Sequence, residues 1–331
     1  MRILVVTSEW PTPEHPEAVP FIVRRVEALR TAGVEVDVFS FRGARNPARY
    51  VAAYRRIQSV LKCQKYDLIH AEFGQSGLLV FAPKLHPLVV TFHGSDVQGI
   101  VNADGDYQRG ASALLRNVSR LVALRADEVI ISSRHLAKHL PRRTFHVIPC
   151  GVDLEVFRPL DRDAARVTLG LSKDRRFVLF AANPKRSVKR YWLAEQAVGR
   201  LKQSYDVDIL VTANIPHHQM PVYINASDAV ILTSKHEGSP TIVKEALACN
   251  VPIISVDVGD VRERLAGVSG CFVCKTDAPV EIAASLEQAL RTGQRIDGHA
   301  AVRDLDESRL VQQVIAVYHR ALTKASQEVI T

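Results

Sequence analysis

TSKHEGSPTIVKEALACN, residues Thr233–Asn250, sets two carboxylates, Glu237 and Glu245, eight positions apart around a turn and an apolar run. Ser239 suits an N-cap and Pro240 a first helical residue, because that position has no intrahelical use for its N–H. The pattern predicts a helix over Thr241–Ala248 with Ile242, Val243 and Ala246 packed inward. A helix start presents free backbone N–H groups and the positive end of a dipole, which suits a phosphate. One short segment can thus offer N–H groups to a diphosphate and carboxylates to hydroxyl-rich sugars. The same residues also read as a capped amphipathic helix with solvated acids, so the surrounding chain has to decide.

Outward from this stretch, short apolar strands alternate with helical segments, which predicts parallel sheets covered by helices. Ile3–Val6, Val34–Phe41, Asp67–His70, Leu88–Phe92 and Glu128–Ser132 are the expected strands of the first half. Phe177–Ala182 and Asp208–Thr212 follow in the second. The first strand runs into EWPTPEHPEAVPF rather than a G-x-G-x-x-G turn, which argues against a dinucleotide-dependent oxidoreductase. Val147-Ile148-Pro149-Cys150-Gly151-Val152-Asp153 carries the Pro and Gly punctuation of a domain boundary.

A chain of 331 residues can build two full cores, and 47% hydrophobic with 24% charged residues is ordinary for a globular protein. No apolar run approaches the length of a membrane span, and the opening MRILVVTSEW reads as a strand rather than a signal peptide. Five cysteines point to a reducing compartment, and the lone Cys271/Cys274 pair lacks the second pair of a zinc site. The expected location is therefore cytoplasmic. Charge is uneven: residues 1–150 carry net +7 and residues 151–331 net +1. Between 38 and 66 stand Arg42, Arg45, Arg49, Arg55, Arg56, Lys62 and Lys65 with no acid, and Val51, Ile57 and Leu61 suggest an amphipathic helix. That stretch is either a solvated basic face or a surface for anionic lipid or an anionic acceptor, peripheral on the inner face of the membrane. Nucleic acid is not an expected partner, since no recognition module is visible.

The Glu237/Glu245 spacing resembles the E-x7-E motif of retaining GT-B glycosyltransferases, specifically glycosyltransferase family 4. The resemblance extends along nearly the whole chain. Gly33-Val34-Glu35-Val36-Asp37-Val38 matches an early strand, Thr91-Phe92-His93-Gly94-Ser95-Asp96 matches a "TFHGsD" loop, and residues 147–159 match the interdomain link, with Cys150 at a usual Asn. The variant Glu237-Gly238-Ser239-Pro240 with Ala248-Cys249-Asn250 resembles teichuronic-acid-type cell-envelope enzymes. The implied fold is α/β, with two Rossmann-like domains facing across a cleft. Residues 1–155 form the acceptor domain, a helix from about 308 packs back onto it, and residues 156–307 form the donor domain. The latter is trimmed by one βα unit between Thr212 and His217.

The resemblance also implies roles. His93 and Glu237 contact the donor sugar, Glu245 the ribose, and Lys189, with Arg186, the diphosphate. Gly238, Ser239, Thr241 and Ile242 complete the donor site, and Arg42, Arg45, Gly94 and Asp96 lie on the acceptor side. Cations at the phosphates stabilise a departing nucleotide. The chemistry implied is metal-independent and cofactor-free, moving a sugar from a UDP- or GDP-type donor to a glycan or lipid-linked acceptor in envelope or exopolysaccharide synthesis. Three departures stand out: Glu17-Ala18-Val19-Pro20 replaces a glycine pair, Asn183 stands at a usual Arg, and Pro240 removes one N–H. These leave two alternatives open: a GT-B nucleotide-sugar epimerase or hydrolase, and a degenerate sugar-nucleotide binder.

Overall fold

The computed structural model describes residues 1–15, 18–43, 46–81, 85–102, 106–141 and 144–330. The chain divides into two units, one of Met1–Ile100, Tyr107–Cys150 and Glu307–Thr331, the other of Val101–Asp106 and Gly151–Asp306. The division falls five residues before the expected 155/156, for a local reason. The Val152 N–H donates to the Leu305 carbonyl at 2.9 Å and Val152 bridges Asp306. Val152 and Phe157 are also buried in the second unit's core.

The first unit holds a six-stranded sheet of β1 (Arg2–Thr7), β2 (Glu35–Ser40), β3 (Leu68–Glu72), β4 (Leu88–Phe92), β5 (Glu128–Ile131) and β6 (His146–Val147), in the order β2-β1-β3-β4-β5-β6. Each pairing is parallel. Side chains alternate across the sheet as a period of two demands. Leu4, Val6, Ile69, Ala71, Val90 and Phe92 face a layer containing the helices Pro47–Cys63 and Arg109–Arg125. Ile3, Val5, Leu68, Val89 and Ile130 face the helices Pro20–Thr31 and Glu307–Ile330. The helix over 47–63 buries Ala53 and Ile57, but Val51, expected on its inner face, is 52% exposed.

The second unit's sheet runs β11-β10-β9-β7-β8, again parallel throughout. Its strands are β7 (Arg176–Phe180), β8 (Val207–Val211), β9 (Ala229–Leu232), β10 (Ile253–Val256) and β11 (Phe272–Cys274). Between β8 and β9 stand a short turn of helix, His217–Gln219, and the helix Met220–Ala226, with no strand. The chain leaves β7 for β8 on one side and reaches β9, β10 and β11 on the other, so the winding reverses between β7 and β9. Open α/β sheets bind ligands outside the carboxyl ends of their strands at such a reversal.

Candidate functional site

The two loops flanking that reversal carry the predicted donor residues. Lys189 leaves the loop after β7, Glu237 leaves the loop after β9, and the Lys189 ammonium meets the Glu237 carboxylate at 2.6 Å. Both side chains keep partial access to solvent. Their meeting is built by the backbone. The Thr233 hydroxyl donates to the Lys189 and Arg190 carbonyls at 2.9 and 3.1 Å, and the Lys235 N–H donates to Val188 at 2.9 Å. Arg190 adopts the left-handed region at φ 50°, unusual for a side-chain-bearing residue. Its guanidinium returns to the Thr233 carbonyl at 2.6 Å and pairs with Asp277. Arg186 is exposed at the entry of the same 3₁₀ turn, Ser187–Lys189.

The helix starts at Thr241, and Pro240 rather than Ser239 occupies the cap position, with extended backbone and no side-chain cap. Ser239 is engaged elsewhere: its hydroxyl donates to Asp260 at 2.7 Å and accepts from the buried Lys244 ammonium at 3.1 Å. Asp260 also accepts from Arg264 at 3.0 Å, which ties the helix start to the loop after β10. That loop approaches closely at Gly259, φ 61°, where a Cβ would lie 2.7 Å from the Gly238 carbonyl. Thr241 and Ile242 are half-buried, and their N–H groups have no intrahelical acceptor. Deeper in the helix Glu245, whose side chain is 4% exposed, meets His217 at 2.9 Å, and the His217 ring tilts against Phe157.

In the first unit the register sets Glu72, the last residue of β3, opposite Thr91 of β4, two residues before His93. Glu72 accordingly meets the His93 Nε2 at 2.6 Å. The Cys150 thiol lies 3.6 Å from the other ring nitrogen, and the rings of Phe21 and Phe73 pack on the imidazole at 4.9 Å each. Behind Glu72 stand the buried Arg25 at 3.7 Å and His70 at 3.8 Å, and Arg25 continues to Glu307 at 3.8 Å. The His70 ring is held between the Tyr318 and Thr91 hydroxyls, 2.7 Å each.

Burial opposes the charge on each of these groups, and their partners decide the outcome. Burial alone would push His93 down; the Cys150 and Glu72 contacts outweigh it and hold His93 well above its usual value, protonated at neutral pH. Burial would raise Glu72, but His70, His93 and Arg25 hold its carboxyl at about 2. His70 goes the other way, pushed by burial to about 4, and stays neutral. The result is a buried carboxylate carrying an imidazolium packed against two tilted phenyl rings.

Residues expected on the acceptor side separate. Gly94 takes φ 136°, a backbone that L side chains rarely adopt, and turns the chain after His93. Asp96 is 1% exposed and accepts N–H groups from His93, Gly94 and Gly74 at 3.2, 2.9 and 3.3 Å. It shapes the His93 loop and offers no outward contact. Arg42 lies beyond the end of β2, bonded to Thr12 at 3.3 Å, with β1 and β3 between its strand and that of His93. Arg45 and Glu17 lie outside the described residues. Among the described residues no group of three or more His, Cys, Asp or Glu has the arrangement of a metal site. The Cys271 and Cys274 thiols are both raised by burial, Cys271 to about 11, as expected of ordinary packed thiols.

Residues 1–156 match the Glycosyltransferase Family 4 model and residues 165–292 the model for Glycosyl transferases group 1. The chain is a family 4 glycosyltransferase. It is 27% identical to TuaC of Bacillus subtilis (strain 168), assigned as a teichuronic acid biosynthesis glycosyltransferase, over 79% of this chain and 82% of that one. It is 28% identical to the D-inositol 3-phosphate glycosyltransferase of Geodermatophilus obscurus over 85% of this chain and 73% of that one. Among solved structures, the sucrose-phosphate synthase of Thermosynechococcus elongatus superposes with a TM-score of 0.78 at 17% identity, covering 98% of this chain and 99% of that one. The Anabaena protein Alr3699/HepE in complex with UDP gives 0.70 at 16%, covering 96% and 99%. At these identities the structural likeness establishes the GT-B fold alone.

Within this glycosyltransferase, sequence reasoning missed Glu72, Arg25 and His217, and treated Cys150 as a minor replacement. Glu72 could have been flagged as an acid inside the apolar run LIHAEF, where an ionised group needs a partner. His217 carried no such sign, because its partner Glu245 is 28 residues away.

Proposed function

We propose that this glycosyltransferase moves a sugar from a nucleoside-diphosphate sugar to a glycan or lipid-linked acceptor, retaining the anomeric configuration and using neither metal nor cofactor. The observation that carries the reading is the Lys189–Glu237 pair, contributed by the two loops that flank the winding reversal of the second sheet. A diphosphate at Lys189 competes for the ammonium and frees the Glu237 carboxylate for the hydroxyls of the transferred sugar. The N–H groups of Thr241 and Ile242 add the helix start, and Arg186 a further cation near the phosphates. Glu245, oriented by His217, accepts from the ribose hydroxyls. His93, its Nε2 bonded to Glu72 and its Nδ1 facing Cys150, positions the transferred sugar. The departing phosphate oxygen takes the acceptor's proton, so no protein base is assigned. The assignment of TuaC to teichuronic acid biosynthesis and the UDP-glucose complex of Alr3699/HepE favour an envelope polysaccharide and a UDP-type donor.

The test is binding and nucleotide release across UDP- and GDP-sugars, with and without a lipid extract, for the native chain, Lys189→Met and Glu245→Ala. Extract-dependent release from one donor, weakened in both variants and unaffected by EDTA, supports the reading; product NMR reads the anomer. Donor binding indifferent to both substitutions, or donor turnover that never needs an acceptor, refutes it.

A further inference from the structure

We propose that the helix Arg109–Arg125 seats this chain on an anionic lipid bilayer, entering it through Leu114, Leu121 and Leu124. Those leucines are 69, 54 and 62% exposed, whereas Ser112, Ser119, Val122 and Ala123 of the same helix are buried against the first sheet. At about 100° per residue the three leucines fall within an arc of about 80° centred nearly opposite the buried arc. They form a stripe along the outward meridian, unlike the singly scattered apolar residues normal on protein surfaces. Arg120 and Arg125 flank the stripe, one on each side, and the helix carries four arginines and no acid.

The neighbouring surface continues the pattern. The helix Pro47–Cys63 packs into the same apolar layer on the same side of the sheet and exposes Arg49, Arg55, Arg56 and Lys62, also without an acid. Leu78, on the segment that joins the same layer, is 40% exposed. Charge chooses the occupant. A second copy would bring two acid-free arginine faces together, whereas an anionic bilayer supplies negative head groups around an apolar interior. Long arginine side chains can reach the head groups while leucines enter the acyl boundary. The inference stands on residues outside the proposed donor site, so the two can fail separately.

The experiment is vesicle flotation of the full chain with phosphatidylcholine vesicles, with and without phosphatidylglycerol. The native chain is expected to float with the phosphatidylglycerol vesicles, weakening as salt rises. The triple variant Leu114→Gln, Leu121→Gln, Leu124→Gln is expected to bind at least about tenfold less, with unchanged melting temperature and unchanged donor binding. Val167→Gln with Val280→Gln, exposed valines of the second unit, should float like the native chain. Failure of the native chain to float, flotation of the triple variant at native level, or equal loss in the valine pair overturns the proposal. So does a native dimer that the triple variant abolishes, which would assign the stripe to a second copy.

Discussion

Glu72→Gln removes the charge at the centre of the first unit's buried network while keeping the side chain's volume. In the native protein Glu72 is 1% exposed and faces His93 at 2.6 Å and Arg25 at 3.7 Å. Removing one partner of a buried pair costs about 3–5 kcal/mol, because the charge left behind is uncompensated. The titration of Glu72 gives a similar size: a carboxyl held at about 2 rather than 4.5 contributes about 3 kcal/mol at neutral pH. Its folded value is depressed, so this stability is present above 4.5 and is lost as pH falls toward 2; about 1 kcal/mol remains near pH 3. His93 has the opposite sign. Its folded value is raised, so its share is complete below 6.5 and disappears as pH rises through the folded value. In the variant, His93 keeps the Cys150 contact but loses the carboxylate that also opposed burial, so its folded value falls. The assay is urea unfolding of the native and variant chains near pH 7 and near pH 3, with the His93 ring followed by NMR. The variant should lose about 3 kcal/mol at pH 7, the gap should shrink by about 2 kcal/mol near pH 3, and the folded value of His93 should fall. A loss under about 1 kcal/mol, or the same gap at both pH values, would refute the network as an electrostatic unit.

Lys189→Met should weaken donor binding by about 10–100-fold, the size of a charge-assisted hydrogen bond, measured by calorimetry; unchanged affinity would remove Lys189 from the phosphate site. Gly259→Ala should lower the second unit's stability by at least about 2 kcal/mol in thermal melts, from its φ of 61° and the 2.7 Å approach of the added Cβ to Gly238. Asp228→Asn should cost about 3 kcal/mol in the same assay. The buried Asp228 carboxylate accepts from Arg166 and from the Phe177 N–H, both at 2.7 Å, and from Arg162 at 2.9 Å. Wild-type stability in either variant would contradict the packing argument.

The legible part of the sequence was local. β4 spans Leu88–Phe92 as its apolar run indicates, and Lys189 and Glu237 were assigned to one site from motifs 48 residues apart. Motif matching carried that pairing; hydrophobic periodicity could not, since it reports faces and not partners. The misses were tertiary. Ser239 has the chemistry of an N-cap, yet Asp260, 21 residues on, holds its hydroxyl. Asp96 has the chemistry of a ligand contact, but the backbone N–H groups around it claim its carboxylate. Cys150 is unremarkable in its link sequence and becomes significant only beside His93, 57 residues earlier. The leucine stripe of 109–125 carries no sign of its exposure in the sequence, because apolar residues at helical spacing usually face a core.

The helix Glu307–Ile330 has a consequence for the order in which the first unit is assembled during synthesis. Tyr318 holds His70 from 248 residues away, and Glu307 faces Arg25 on the first helix of the chain. Residues 151–306 form one uninterrupted stretch of the second unit and can fold as they emerge from the ribosome. The first unit, though begun earlier, must wait for residues 307–330 to be made. Until then Ile3, Val5, Val89 and Ile130 lack the cover of Val314 and Tyr318, and the polar groups behind His93 lack two of their partners. A chain cut at residue 306 would thus keep a whole donor-side unit and an unfinished histidine site. Synthesis of residues 307–330, rather than completion of either sheet, is the event that assembles the first unit.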